Sequence, residues 1–315
     1  MNKNIRKFTI IVSSLIISAS LFAACGNKNQ IKENNKTTKT EYKSEGNEYF
    51  TDIKWLEENI DNEKLVLLDA RNNKDYDKGH IKGAINAPWQ GFANMTGKSG
   101  DKGWGVLQDE KALSEKFSKL GIDKTKNVVV YGNKDGWGED GRLVWMFKMA
   151  GIDAKMLNGG FDLWKAEKKE TTNEIKEPKS TNYKVEKLNN DFTITTEELK
   201  SKADKVKIID TRTKEEYEGA TKFGEARGGH LPKAISLPFT EVYNGDGTIK
   251  TKEELEKIFK DAGLKKEDEI VTYCTAGIRS AHFALILKDN GYDKVKNYDA
   301  SFYEWAGDSS NPLEK

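Results

Sequence analysis

The chain has 315 residues, enough for two ordinary domains, and 36% of them are hydrophobic against 33% charged. Lys and Arg number 52 against 51 Asp and Glu, so the evenly mixed surface carries no electrostatic footprint for nucleic acid. Two cysteines cannot build a disulfide framework or a structural zinc site, and a soluble, metal-free globular protein is expected.

Residues 1–7 are basic, and residues 8–24 (FTIIVSSLIISASLFAA) form an uncharged run of 17 ending in small residues before Cys25. This is the n-region and h-region of a secretory signal, residues 1–24, and is short for a spanning helix of about 20 residues. LFAAC resembles a bacterial lipobox, with Phe22 where Leu is usual. That resemblance implies lipidation of Cys25 and an extracytoplasmic protein anchored to the bacterial cell membrane; plain secretion with an idle cysteine is the alternative. Without the signal, 49 basic residues face 51 acidic ones. Residues 25–49 hold almost no apolar side chains, cannot repay ordering entropy, and read as a flexible tether.

The rest is one unit written twice. LVLLDAR (65–71) returns as VKIIDTR (206–212), 141 residues later. KGHIKGAINAPW (78–89) returns as GGHLPKAISLPF (228–239), and NVVVYG (127–132) as EIVTYC (269–274). Trp164 and Trp305 close the two copies, again 141 apart. Repeats of this length are duplicated domains, expected over residues 50–168 and 191–315, joined by a Lys/Glu/Thr-rich linker over 169–190.

Within each copy short apolar runs alternate with helical stretches. VLLDA, KIIDT, VVVY and IVTY read as strands buried on both faces. DEKALSEKFSKLG places Ala112, Leu113, Phe117 and Leu120 on one stripe, with Gly121 as a stop. TKEELEKIFKDAG repeats the pattern with Leu255, Ile258 and Phe259, Thr251 as cap and Glu254 three residues on. This alternation predicts an α/β fold in which each copy is a parallel sheet flanked by helices.

The copies differ where chemistry is expected. VVVY ends in Gly132 and a glycine-rich segment, whereas IVTY ends in Cys274, Thr275, Ala276, Gly277, Ile278 and Arg279 before a helix. Ligands of open α/β sheets bind beyond the carboxyl ends of the strands. There Cys274 faces unpaired N–H groups that stabilise a thiolate. A small buried cysteine at a strand end is the alternative. Arginine use sharpens the contrast: 46 lysines accompany six arginines. Arg71 and Arg212 hold the same place in both copies and read as architectural, whereas Arg227 and Arg279 occur only in the copy that carries Cys274 and suggest anion recognition. A surface or core ion pair is the other reading for Arg227.

D-x-R, then G-H-[IL]-x-x-A-[IL], then C-x-x-G-x-R resembles the rhodanese sulfurtransferases. The tandem arrangement, Trp145 and the Glu304–Trp305 pair resemble the two-domain thiosulfate/3-mercaptopyruvate type, from about residue 50 onward. The resemblance implies a five-stranded parallel sheet in each of two rhodanese-like domains, the second catalytic and the first lacking its cysteine. It implies that Cys274 takes a sulfane sulfur from a small-molecule donor as a persulfide and passes it to a thiophilic acceptor, in a loop from Cys274 to Arg279. No metal, cofactor or nucleic acid is implied, and a monomer is expected. Thr275 and Ala276 match neither the basic thiosulfate-type loop nor the Gly-Ser mercaptopyruvate-type loop. Arg227 matches a substrate arginine, while Glu216 stands where some members carry an arginine, which weakens that anion contact. Asp69 and His80 match an Asp–His pair proposed to assist catalysis, but the third partner is Ala276, so both are read as ordering a turn. His230 is read as structural and His282 as a packed histidine.

Three other readings were open. A phosphatase or arsenate reductase separates Cys and Arg by five residues, whereas four intervene here. A non-catalytic docking lipoprotein would have lost Cys274. A solute-binding lipoprotein would not place a lone thiol in a C-x-x-G-x-R turn.

Overall fold

The computed structural model describes residues 47–315. The expected signal, Cys25 with its lipid, and nearly all of the tether lie outside the described residues. Tyr49, placed at the end of the tether by composition, is buried, and its carbonyl accepts from the Met156 N–H.

The first domain opens with β1 (Phe50–Thr51), α1 (Ile53–Asn59), β2 (Leu65–Asp69) and α2 (Asn73–Lys78). It continues through β3 (His80–Ile81), β4 (Ile85–Asn86), α3 (Glu110–Lys119) and β5 (Asn127–Tyr131). It closes with α4 (Glu139–Met149), β6 (Ala154–Leu157) and α5 (Gly160–Ala166). The sheet order is β1-β6-β5-β2-β4, and every pair is parallel. All five residues of β2 are buried, as a two-sided apolar strand requires.

A short strand β7 (Thr171–Thr172) pairs antiparallel with β3 and leads out of this domain. The second domain repeats the plan with β8 (Thr193–Ile194), α6 (Thr196–Lys202), β9 (Lys207–Asp210), α7 (Lys214–Tyr217) and β10 (Ile235–Ser236). Then follow α8 (Lys252–Asp261), β11 (Ile270–Tyr273), α9 (Ile278–Asp289), β12 (Val295–Tyr298) and α10 (Ser301–Gly307). Its order, β10-β9-β11-β12-β8, is again all parallel. Helix α8 carries the capping box read from Thr251 and Glu254 and buries Leu255 and Phe259.

The linker is more ordered than its composition suggests. Beyond β7, Tyr183 and Val185 are buried in the core alongside Phe117, and Ser118 receives the Tyr183 N–H. Two apolar residues are too few to form a periodic signal, but they suffice to pin the chain against α3.

Each domain has a hydrophobic cluster of its own, and a third cluster is shared by both. Helices α4 and α9 pack on each other, and nearly every residue of α9 from Ile278 to Leu287 is buried. A helix apolar all round is a buried helix, which is why this segment lacks an amphipathic stripe. The helices cross closely at Gly141, where a Cβ would come within 2.4 Å of the His282 side chain. Among the described residues no helix is long and apolar enough to cross a membrane.

Candidate active site

Strand β11 delivers Cys274 to the carboxyl edge of the second sheet, and the chain turns at once into α9. Gly277 makes the turn: its φ is +78°, and a Cβ there would lie 2.4 Å from the Asp299 carbonyl oxygen. The loop from Cys274 to Arg279 is buried, with Cys274 only 1% exposed.

Burial pushes the Cys274 thiol up, but the Arg279 charge, the Ser280 N–H and hydroxyl and the Ala276 N–H pull it down. The balance leaves it below its ordinary value of 9.0. Thiolate stabilisation by loop amides and a guanidinium is thus built into the fold.

Arg279 is held as a fork. Its Nη1 donates to Glu216 Oε2 at 2.7 Å, and its Nη2 to Glu216 Oε1 at 2.8 Å and to Thr275 Oγ1 at 2.7 Å. Thr275 in turn donates to Glu216 Oε1 at 2.9 Å. Burial raises the Glu216 carboxyl, but Arg279, the Thr213 N–H and Thr275 outweigh it and hold the acid at about 2. Glu216 therefore does more than lack an arginine's charge: it is the partner that orients the arginine at the end of the Cys274 loop. Glu216 is 63 residues upstream of Arg279, so no local pattern revealed this pair.

The first domain closes the site from above. Trp137 lies in the segment that replaces the cysteine loop, and the Arg279 guanidinium sits 4.9 Å from its ring centre. Phe223 meets the same Trp137 edge-on at 4.6 Å, and its carbonyl accepts from the Tyr303 hydroxyl at 2.6 Å.

Two further contacts lock the loop. The amides of Phe302 and Tyr303, at the start of α10, donate to the carbonyls of Cys274 and Thr275, and the Cys274 N–H donates to Ser301 Oγ at 3.2 Å. From the first domain, Arg142 on α4 pairs with Asp299 and donates to the carbonyls of Gly277 at 3.3 Å and Gly105 at 3.1 Å. Asp299 also accepts the Leu107 N–H, and Glu304 the Gly103 N–H. Arg142 thus ties the first domain to the Cys274 loop of the second.

Arg227 is placed elsewhere. Its guanidinium donates to the carbonyls of Trp305, Ala306, Asp308 and Asn311, around and just beyond the end of α10. Those carbonyls lack partners within their helix, and a planar fork satisfies several at once. Arg227, read from its motif position as a substrate contact, spends its guanidinium on a helix-end cap in this structure.

The repeated arginines behave alike. Arg71 and Arg212 each bond the Asp two residues before, then the carbonyl of Gly79 or Gly229. His80 and His230 stack on Tyr76 and Tyr217 with centres 3.7 and 3.6 Å apart, bracing the G-H turn. His282 lies between Asp140 and Tyr243, its Nε2 2.6 Å from the Tyr243 hydroxyl, and spans the domain interface.

A buried thiol held toward its anionic form, with a guanidinium and amide donors around it, is arranged for nucleophilic attack on sulfur. The model of the rhodanese-like domain matches residues 52–167 and 195–308. Thiosulfate sulfurtransferase of Corynebacterium glutamicum is 33% identical over 276 residues, covering 82% of this chain and 88% of that protein. The sulfur carrier protein TtuD of Thermus thermophilus is 31% identical over 282 residues, covering 83% and 94%. In fold, the chain is similar to the anaerobic ergothioneine biosynthesis enzyme of Chlorobium limicola in complex with trimethyl histidine. That match has a TM-score of 0.72 and 21% identity, over 85% of this chain and 70% of that one. With two matched domains, and relatives aligned along most of its length, the chain belongs to the rhodanese family, in the tandem-domain arrangement of its thiosulfate sulfurtransferase type.

Proposed function

We propose that the protein moves a sulfane sulfur from a donor such as thiosulfate, or 3-mercaptopyruvate, to a thiophilic acceptor, cyanide or a thiol, through a persulfide on Cys274. The observation that carries this reading is the Cys274 thiol, drawn below its ordinary pKa by Arg279 and by the amides of its own loop.

The Cys274 thiolate attacks the outer sulfur of thiosulfate. The sulfur–sulfur bond of the donor breaks, its electron pair leaves with sulfite, and Cys274 carries the sulfur as a persulfide anion. The acceptor then attacks that outer sulfur and regenerates the thiolate. Two half-reactions on one nucleophile give ping-pong kinetics. The free loop amides and Arg279 hold the charge that moves from donor to leaving group. The fold leaves Cys274 without a second thiol among the described residues, so the persulfide has no internal partner with which to close a disulfide.

In the cell, the protein works as a monomer outside the cytoplasm, delivered by residues 1–24 and held on the membrane by a lipid on Cys25. Labelled palmitate incorporated into the wild type and lost in Cys25→Ser supports this anchor; an unlabelled wild type refutes it. For the reaction, thiosulfate:cyanide transfer is measured in the wild type and in Cys274→Ser. The variant is expected to keep the fold and lose all transfer, and retained transfer removes Cys274 as the nucleophile.

A further inference from the structure

The loop of a sulfur carrier that takes an anionic donor is expected to be rich in positive charge. Here it is not. Each arginine at or beneath the loop already has its carboxylate: Arg142 has Asp299, Arg212 has Asp210, and Arg279 has Glu216. Both terminal nitrogens of Arg279 are spent on Glu216 and Thr275, and its Nε is buried without a partner. Arg227 is capping α10. A donor entering the site therefore meets one guanidinium N–H that no carboxylate holds, the loop amides and the thiolate that Arg279 itself serves.

A second observation points the same way. Glu225 is 6% exposed, and its Oε1 has no hydrogen-bond partner, while Oε2 accepts the Phe223 N–H at 2.9 Å. Burial, Glu225, Cys274 and Glu216 push the Tyr303 hydroxyl up while Arg279 pulls it down, and that hydroxyl donates to the Phe223 carbonyl at the mouth of the site. The mouth thus gathers two carboxylates and the thiolate against one guanidinium.

We propose that Glu216, with Glu225 behind it, is a specificity-determining residue that disfavours dianionic sulfur donors and favours monoanionic ones, the class of thiosulfonates and organic persulfides. This rests on the persulfide reading of Cys274. With a monoanionic thiosulfonate, the thiolate attacks the sulfane sulfur, the bond to the sulfonyl sulfur breaks, and the electron pair departs on the sulfinate. The charge before and after is the same, and no further reactant enters. A dianion undergoes the same step but brings one more negative charge beside the Glu216 carboxylate.

The test compares kcat/KM for thiosulfate and for methanethiosulfonate in the wild type, Glu216→Gln and Glu216→Asp. Removing the carboxylate charge is expected to raise the thiosulfate-to-methanethiosulfonate ratio about tenfold, the effect of one unit charge at several ångströms in a partly screened site. The aspartate variant, which restores the charge, is expected to keep the wild-type ratio. A ratio unchanged in Glu216→Gln overturns the proposal. Should that variant fail to fold, the wild type decides by its salt response. Added salt is expected to favour thiosulfate more than methanethiosulfonate, since it screens repulsion that the dianion feels more strongly. The opposite order overturns the proposal. If neither donor places sulfur on Cys274, the persulfide reading itself falls; if both do with an indifferent ratio, only the role of Glu216 falls.

Discussion

Replacing Arg279 by lysine keeps the charge and removes the fork. In the folded protein the guanidinium serves Glu216 twice and Thr275 once, within 2.8 Å each time, while its charge holds the Cys274 thiol down. A single ammonium on a different stem can meet one of those acceptors well. At an effective dielectric of about 20, unit charges attract by about 4 kcal/mol at about 4 Å and by about 3 kcal/mol at about 6 Å, so a cation drawn back by about 2 Å toward Glu216 gives up about 1.4 kcal/mol of attraction. That loss of about 1.4 kcal/mol is about one pK unit, and its sign is upward, because the thiolate loses stabilisation. The assay is the rate of inactivation by iodoacetamide as a function of pH. The midpoint in Arg279→Lys is expected about one unit above the wild type, with slower persulfide formation at pH 7. A midpoint that stays in place or moves down refutes the argument that this guanidinium sets the thiolate.

Further outcomes follow from the other contacts. Arg142→Ala strands the buried Asp299 carboxylate and removes one of the donors to the Gly277 carbonyl, so a destabilisation of about 3–5 kcal/mol in urea unfolding is expected, together with reduced transfer activity. Trp137→Ala opens the roof over Arg279, and alkylation of Cys274 by a bulky maleimide is expected to accelerate more than alkylation by iodoacetamide. Equal acceleration would mean that Trp137 does not guard the entrance. The Glu216 carboxyl is held at about 2 against an ordinary 4.5. Its contribution to stability is therefore present above pH 4.5 and lost as pH falls through about 2. The stability gap between the wild type and Glu216→Gln is expected to narrow over that window, and a gap independent of pH contradicts the pairing.

What could be read from sequence was what is local. A strand ending in Cys274 and a turn at Gly277 are written in consecutive residues, and so is the Asp–Arg pairing of D-x-R, two positions apart. The duplication was legible because both copies keep the same local solutions, down to the stacked His80 and His230. What stayed hidden depends on distance along the chain. Arg279 meets Glu216 across 63 residues, and Arg142 meets Asp299 across 157. Trp137 lies in a glycine-rich segment whose only visible feature was the loss of a cysteine, yet that segment reaches over the partner domain's arginine. Arg227 shows the converse. A motif position suggested an anion contact, but the open carbonyls at the end of α10 claimed the guanidinium.

The central claim is that Cys274 carries sulfur covalently, and intact mass spectrometry reads it directly. After incubation with thiosulfate and removal of the excess, the wild type is expected to gain the mass of one sulfur atom, to lose it on addition of cyanide, and to show neither change in Cys274→Ser. A wild type whose mass stays constant under donor, with an accessible and intact thiol, would contradict the account.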